Sequence, residues 1–261
     1  MSHSSDPAGP RRLTLWGFAA AVVVYLAIIQ VGGIAFRRLG DITGDEGTQT
    51  ISGVVYNFIL PLGLAAIFVY GLVAYLGWWK PVMRDDRPVQ RGMIVVPIVL
   101  LVGILLAIDY GALAEKGLGF TLLLLLATQL VGWGEEGMFR GIGITVLRKR
   151  GLTEGRVALW SSLIFGAVHL SNAVGQGLQA VPQAVVVAFA GYFFYLVRRR
   201  TGSNAVNSVL HGLFDFSLLT ATALDDTPYL GMTAGILVYL VLAVFLLARR
   251  RHIEPKPIAA A

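Results

Sequence analysis

Long apolar runs, broken by short polar loops, set the pattern of the whole chain. A hydrocarbon core about 30 Å thick needs roughly 20 apolar residues per helix. Eight stretches approach that length, over residues 13–36, 51–79, 92–108, 119–147, 157–170, 181–197, 203–224 and 229–248. The pattern predicts an all-α, polytopic integral membrane protein with about eight transmembrane helices, of which the fifth is short for a span. No internal repeat, heptad or low-complexity array stands out. Residues 1–12 read as a polar N-terminal tail, 13–248 as the transmembrane helical domain, and 249–261 as a basic C-terminal tail. The first run exceeds the roughly 7–15 apolar residues of a signal peptide, so it reads as an uncleaved helix.

Composition narrows the chemistry. Hydrophobic residues make up 56% of the 261 and charged ones 14%, against about 25% charged in a soluble domain. A water-soluble core of this size is excluded. Cysteine is absent, so a metal would need His and carboxylate ligands. The formal charge of +6 would raise nucleic acid as a partner for a soluble protein. Here the basic residues cluster between apolar runs, a mark of topology, and no nucleic-acid partner is expected.

Seventeen of the 21 Lys and Arg residues fall on one side if the eight runs alternate: Arg11 and Arg12; Lys80, Arg84, Arg87 and Arg91; Arg148, Lys149, Arg150 and Arg156; Arg198, Arg199 and Arg200; Arg249, Arg250, Arg251 and Lys256. The other side has Arg37, Arg38 and Lys116, and Arg140 lies inside a run. Cytoplasmic loops are enriched in basic residues, so both termini are expected in the cytoplasm.

Ionisable groups at bilayer depth cost about 2.5–3.5 kcal/mol each on insertion scales, which makes them functional candidates. Six fall inside the runs: Glu135, Glu136 and Arg140 in the fourth, His169 in the fifth, His211 and Asp215 in the seventh. At 1.5 Å per residue, Glu135, His169 and His211 lie roughly 20, 20 and 16 Å below the basic boundary, in one layer. Glu136 and Arg140 share a helix face and form a candidate ion pair; His211 and Asp215 also share a face, with Asn207 one turn earlier on the same stripe. Glu135 is then free, turned about 100° away, and suited to activate water as a general base. His169 and His211 are candidates to hold that water or a metal and to stabilise an oxyanion. A buried His bonded to a carbonyl or a Glu–Arg assembly pair would each be an ordinary structural device. Their clustering in one layer favours a single active site between helices 4, 5 and 7.

These residues resemble the CAAX prenyl protease and bacteriocin-processing (CPBP) family of intramembrane proteases. Its Glu-Glu-x-x-x-Arg, Phe-x-x-x-His and His-x-x-x-Asn/Asp motifs are matched in order by Glu135-Glu136 with Arg140, Phe165 with His169, and His211 with Asp215. The resemblance covers about residues 119–219. It implies an intramembrane endopeptidase hydrolysing a peptide bond near the cytoplasmic face, with Glu135 as base, His169 and His211 positioning water or a metal, and Asp215 assisting. Asp215 stands where eukaryotic prenyl proteases have Asn. Its added charge keeps a divalent metal such as zinc open, held by Glu135, His169, His211 and Asp215. The resemblance further implies a peptide or membrane-protein substrate, lipidated or not, and a place in the lipid bilayer of a bacterial plasma membrane. The His-Glu-x-x-His of zinc site-2 proteases, the Gly-x-Ser-Gly of rhomboids and the Gly-x-Gly-Asp of presenilin-type enzymes are missing. Rival readings are a proton-coupled transporter, which shares the buried carboxylates and imidazoles, and a non-proteolytic membrane scaffold.

The orientation is testable directly. A reporter active only in the cytoplasm is expected to work when fused after Arg91, Arg150, Arg200 or Arg251, and to fail after Asp45, Glu115, Gln176 or Asp226. Equal signals at Gln176 and Arg150 would show that the short fifth run does not cross the membrane.

Overall fold

A computed structural model describes residues 10–44, 46–87, 89–173, 177–223, 229–248 and 253. Most of the two tails assigned above, with His3 and His252, lies outside the described residues. Eight principal helices follow the apolar runs: α1 Leu15–Leu39, α2 Ile51–Leu76, α3 Arg91–Ala107, α4 Tyr110–Lys149, α5 Glu154–Val168, α6 Ala180–Thr201, α7 Asn204–Ala223 and α8 Leu230–Ala248. Among the described residues there is no β-strand, only an isolated bridge between Arg84 and Ser203. The protein is an all-α polytopic membrane protein. Five helices, α1, α2, α4, α6 and α8, are long and apolar enough to cross a bilayer. α3 is apolar but shorter, α5 has 15 residues, and α7 is diluted by Asn204, Asn207, His211 and Asp215.

Apolar side chains pack in two clusters with α4 common to both. One gathers Leu100 and Ile104 of α3, Leu124 of α4, Leu196 of α6 and Leu242 of α8. The other joins Phe18 and Tyr25 of α1 and Val69 of α2 to Met138, Phe139 and Ile142 of α4. Exposed aliphatic side chains such as Leu237, Val241, Val244 and Leu247 of α8 form a surface that suits acyl chains rather than water.

Contact between α4 and α7 is close because both helices carry glycine where they meet. A Cβ on Gly132 would lie 2.3 Å from the Ser208 carbonyl oxygen, and one on Gly212 would lie 2.9 Å from Gln129 Cα. Small residues let backbones approach in this way inside membranes. The contact sets His211, next to Gly212, against the α4 backbone near Glu135.

α4 is not a uniform α-helix, as its apolar run implied. It is kinked at Gly117, and from Glu136 to Gly143 it widens into a π-helix. Side chains from outside the ladder occupy three carbonyls of this stretch. Asn204 Nδ2 donates to Glu136 O at 3.0 Å, the Arg198 guanidinium donates to Arg140 O, and Thr145 Oγ1 donates to Gly141 O at 2.7 Å. Insertion of such donors is a recognised cause of local widening, and π-turns concentrate at functional sites.

Arginines at the ends of α4 and α6 do more than orient the chain. Arg198, fully buried, also donates to Pro81 O at 2.7 Å and Val82 O at 3.0 Å and pairs with Asp85 at 3.3 Å. Arg148 and Arg199 reach Glu154 at 2.9 and 2.6 Å. Burial pushes the Glu154 carboxyl up, but hydrogen bonds from Arg148 and Tyr195 and the charges of Arg148 and Arg199 override this and hold it at about 2. The reading of these clusters as topology signals alone is therefore incomplete. They also tie α6 to the loop after α2 and to the start of α5.

Candidate active site

Glu136 is a carboxylate with no solvent exposure, a placement that is costly unless its oxygens are matched. Here both are. Oε1 lies 3.0 Å from Arg140 Nη1 and 2.8 Å from His211 Nδ1, and Oε2 accepts from Asn207 Nδ2. The expected pair with Arg140 is present, but it is one part of a three-partner arrangement spanning α4 and α7. With its lone pairs engaged, Glu136 is poorly suited to take a proton from water.

Arg140 is equally buried and places its guanidinium 3.8 Å above the Phe165 ring and 5.8 Å from that of Phe194. A cation over an aromatic face in a desolvated setting gains about 2 kcal/mol, and the contact joins α4 to α5 and α6. Phe194 also stacks on His211, with centroids 4.2 Å apart and planes 17° from parallel. The His211 ring is thus fixed on its face by Phe194 and at Nδ1 by Glu136. Its Nε2 lies 3.5 Å from Asp215 Oδ2 and 3.7 Å from Glu135 Oε2. Both distances exceed a hydrogen bond but fall within charge contact.

His169 opens a 3-10 turn, His169–Asn172, at the end of α5 and not within the helix as its apolar run implied. Its backbone N–H bonds back to Gly166 O, which tightens the last turn. Its Nδ1 is 2.8 Å from Phe165 O. A carbonyl can only accept, so in the neutral ring Nδ1 carries the hydrogen and Nε2 is left as an acceptor. Phe165 meets both imidazoles edge-on, His169 at 4.9 Å and His211 at 5.9 Å between centroids.

Glu135 is the remaining carboxylate on α4. Its Oε2 is buried without a hydrogen-bond partner, and its side chain walls a cavity of about 60 Å³ with Tyr25, Gln30, Phe139, His169 and Asn172. At roughly 30 Å³ per water molecule, the cavity takes one or two. His211 and Asp215 are not among its walls. The structure therefore brings all six candidate residues together in two tiers, Glu135 and His169 on the cavity, Glu136, Arg140, His211 and Asp215 packed beside it.

Residues 117–217 match the family described as Type II CAAX prenyl endopeptidase Rce1-like. Over that segment the chain is similar to the CPBP/CAAX proteases, and the match supports membership of that family. The matched segment runs from the kink of α4 into α7 and contains all six candidate residues. No curated protein and no solved structure matches the chain. At family level the match suggests a CAAX-type intramembrane endopeptidase, which implies a peptide substrate and a bilayer setting.

Among the described residues, no group of three or more His, Asp or Glu side chains is arranged to hold a metal ion. The expected set of Glu135, His169, His211 and Asp215 is not such a group: His211 Nε2 stands 3.7 and 3.5 Å from Glu135 and Asp215, while His169 lies on the cavity and Asp215 does not. The residues that sequence reasoning did not assign were Asn204, Phe194 and Arg198. Asn204 carried a signal, a second amide in the stripe that leads to His211, whereas Phe194 looked like any apolar residue of a span.

Breaking one half of a buried charge arrangement costs about 3–5 kcal/mol. Glu136→Gln and Arg140→Ala are each expected to lower the stability of the detergent-solubilised protein by an amount in that range, read from equilibrium unfolding. Stability within about 1 kcal/mol of the wild type for both variants would contradict the arrangement.

Proposed function

We propose that the protein hydrolyses a peptide bond with Glu135 as general base and water as nucleophile, using no covalent intermediate. One observation carries the reading: a buried carboxylate oxygen with no hydrogen-bond partner on a cavity of water-molecule size. An orphaned acceptor of that kind is satisfied by water. Glu136 is spent on Arg140, His211 and Asn207, and Asp215 does not line the cavity, so Glu135 is the carboxylate left to do the work.

In the proposed reaction Glu135 takes a proton as the water oxygen bonds to the scissile carbonyl carbon, and the carbonyl electron pair moves onto oxygen. His169 Nε2 accepts the water's second hydrogen bond and aims its lone pair. The positive edge that His211 presents to Glu135 and Asp215, fixed by Glu136 and Phe194, steadies the negative charge of the base. Glu135 then returns its proton to the amide nitrogen as the C–N bond breaks, releasing a carboxylic acid and an amine. The family description is of a CAAX prenyl endopeptidase, and the proposed substrate is accordingly a peptide presented from the membrane surface with a lipid near the cleaved bond. The cytoplasmic face is its expected side.

General-base catalysis contributes about 10²–10⁴-fold. Glu135→Gln keeps the size of the side chain and removes only its basicity. Cleavage of quenched fluorescent peptides, with and without a C-terminal farnesyl-cysteine, is expected to fall at least about 100-fold while the variant purifies and unfolds like the wild type. Cleavage at the wild-type rate would overturn the assignment. Glu135-dependent proton transport in liposomes without any peptide cleavage would favour a transporter instead.

A further inference from the structure

The cavity beside Glu135 has an unused donor. Of the buried side-chain polar atoms on its walls, two have no hydrogen-bond partner: Glu135 Oε2 and the Tyr25 hydroxyl. The other polar walls are occupied. Gln30 Nε2 donates to Ser171 Oγ at 3.3 Å and Asn172 Oδ1 at 3.1 Å, Asn172 Nδ2 donates to Gln183 Oε1 at 3.0 Å, and His169 Nδ1 is on Phe165 O.

Tyr25 sits on α1, outside the segment that matches the protease family, and is 1% exposed. Its ring packs edge-on against Phe139 at 6.2 Å. Its hydroxyl overhangs Gly134, the residue before Glu135: a Cβ there would come within 3.0 Å of Tyr25 Oη. The missing side chain at 134 is what lets a phenol reach the cavity. A buried hydroxyl without a partner is costly, and phenylalanine would fill the same space between α1 and α4 without that cost. The hydroxyl is therefore in place for something the cavity receives.

Hydrolysis creates a need for such a group. As water adds, the carbonyl oxygen becomes an oxyanion, which a fixed donor in a water-poor site stabilises strongly. Glu135 can only accept while it is the base, and neutral His169 offers the cavity an acceptor. Tyr25 Oη is the buried donor on these walls that has no hydrogen-bond partner, and it is neutral, so it adds no charge to a site that already holds three carboxylates.

We infer that Tyr25 is a catalytic residue that donates its hydroxyl hydrogen to the oxyanion of the tetrahedral intermediate. The inference rests on the hydrolytic reading of Glu135 above. No proton leaves Tyr25: the hydrogen bond forms as the carbonyl electron pair moves to oxygen and relaxes when the C–N bond breaks.

The test is Tyr25→Phe in the full-length protein, reconstituted in liposomes and assayed with the farnesylated and unlipidated quenched peptides, beside wild type and Glu135→Gln. Loss of one oxyanion donor lowers kcat about 10²–10³-fold. The expected result is a fall in kcat of that order, a KM within about twofold of wild type, and an unchanged thermal midpoint, since a hydroxyl needed only for packing would move the midpoint and KM together. Wild-type kcat in Tyr25→Phe, with Glu135→Gln inactive, would overturn this inference and leave the hydrolytic reading standing. A fall in kcat matched by a lowered midpoint would also overturn it, assigning Tyr25 a structural role. Absence of Glu135-dependent cleavage in the wild type would overturn both.

Discussion

The site depends on a single buried carboxylate. Glu136 brings a negative charge into a region where an unmatched one would be prohibitively costly, and three side chains answer it: Arg140 from its own helix, His211 and Asn207 from α7. Asn204 adds a hydrogen bond to its backbone carbonyl. Each contact that matches the charge also locates something. Arg140 is drawn over Phe165, whose ring touches both imidazoles. His211 is held with its second nitrogen toward Glu135 and Asp215. Two adjacent carboxylates on α4 thereby acquire opposite situations, one engaged by three side chains, the other with an oxygen on a small cavity that lacks a hydrogen-bond partner.

The packing around α4 serves the same arrangement. Glycines at 132 and 212 bring α7 close enough for short side chains such as Asn207 to reach across. The π-helical stretch from Glu136 to Gly143 is widened where Asn204, Arg198 and Thr145 bond its carbonyls, and it presents Glu136 and Arg140 inward together. Arg198 in turn is anchored by Asp85 and by carbonyls of the loop after α2. A chain of polar contacts therefore runs from the basic end of the helices to the site, although the Arg140 guanidinium nitrogens and the Oδ1 atoms of Asn204 and Asn207 have no hydrogen-bond partner of their own.

Much of this was legible in the pattern of residues, and the parts that were not share a cause. Apolar run length located eight helices, most of them to within a few residues, because the bilayer imposes that length, although α4 begins nine residues before its run. Counting residues from the basic boundary placed Glu135, His169 and His211 in one layer, and helix periodicity paired Glu136 with Arg140 and His211 with Asp215. The widening of α4 was hidden, since two of the side chains that bond its carbonyls there come from α6 and α7, 58 and 68 positions away. His169 read as helical because the tightening of its last turn leaves no mark in hydropathy. Arg198 was hidden in a topology cluster, and Tyr25 in an apolar run where a tyrosine is ordinary. Roles that arise from who meets whom, rather than from spacing along one helix, needed the fold.

The site stands on the coupling between Glu136 and His211, and a double-mutant cycle measures it most directly. Unfolding free energies of the solubilised wild type, Glu136→Gln, His211→Ala and the double variant isolate the interaction of the two side chains. Residues sharing one hydrogen-bonded network show coupling of about 0.5–3 kcal/mol, and the upper half of that range is expected here because the carboxylate is fully buried. Losses that simply add, to within about 0.5 kcal/mol, would contradict the claim that Glu136 holds the site together.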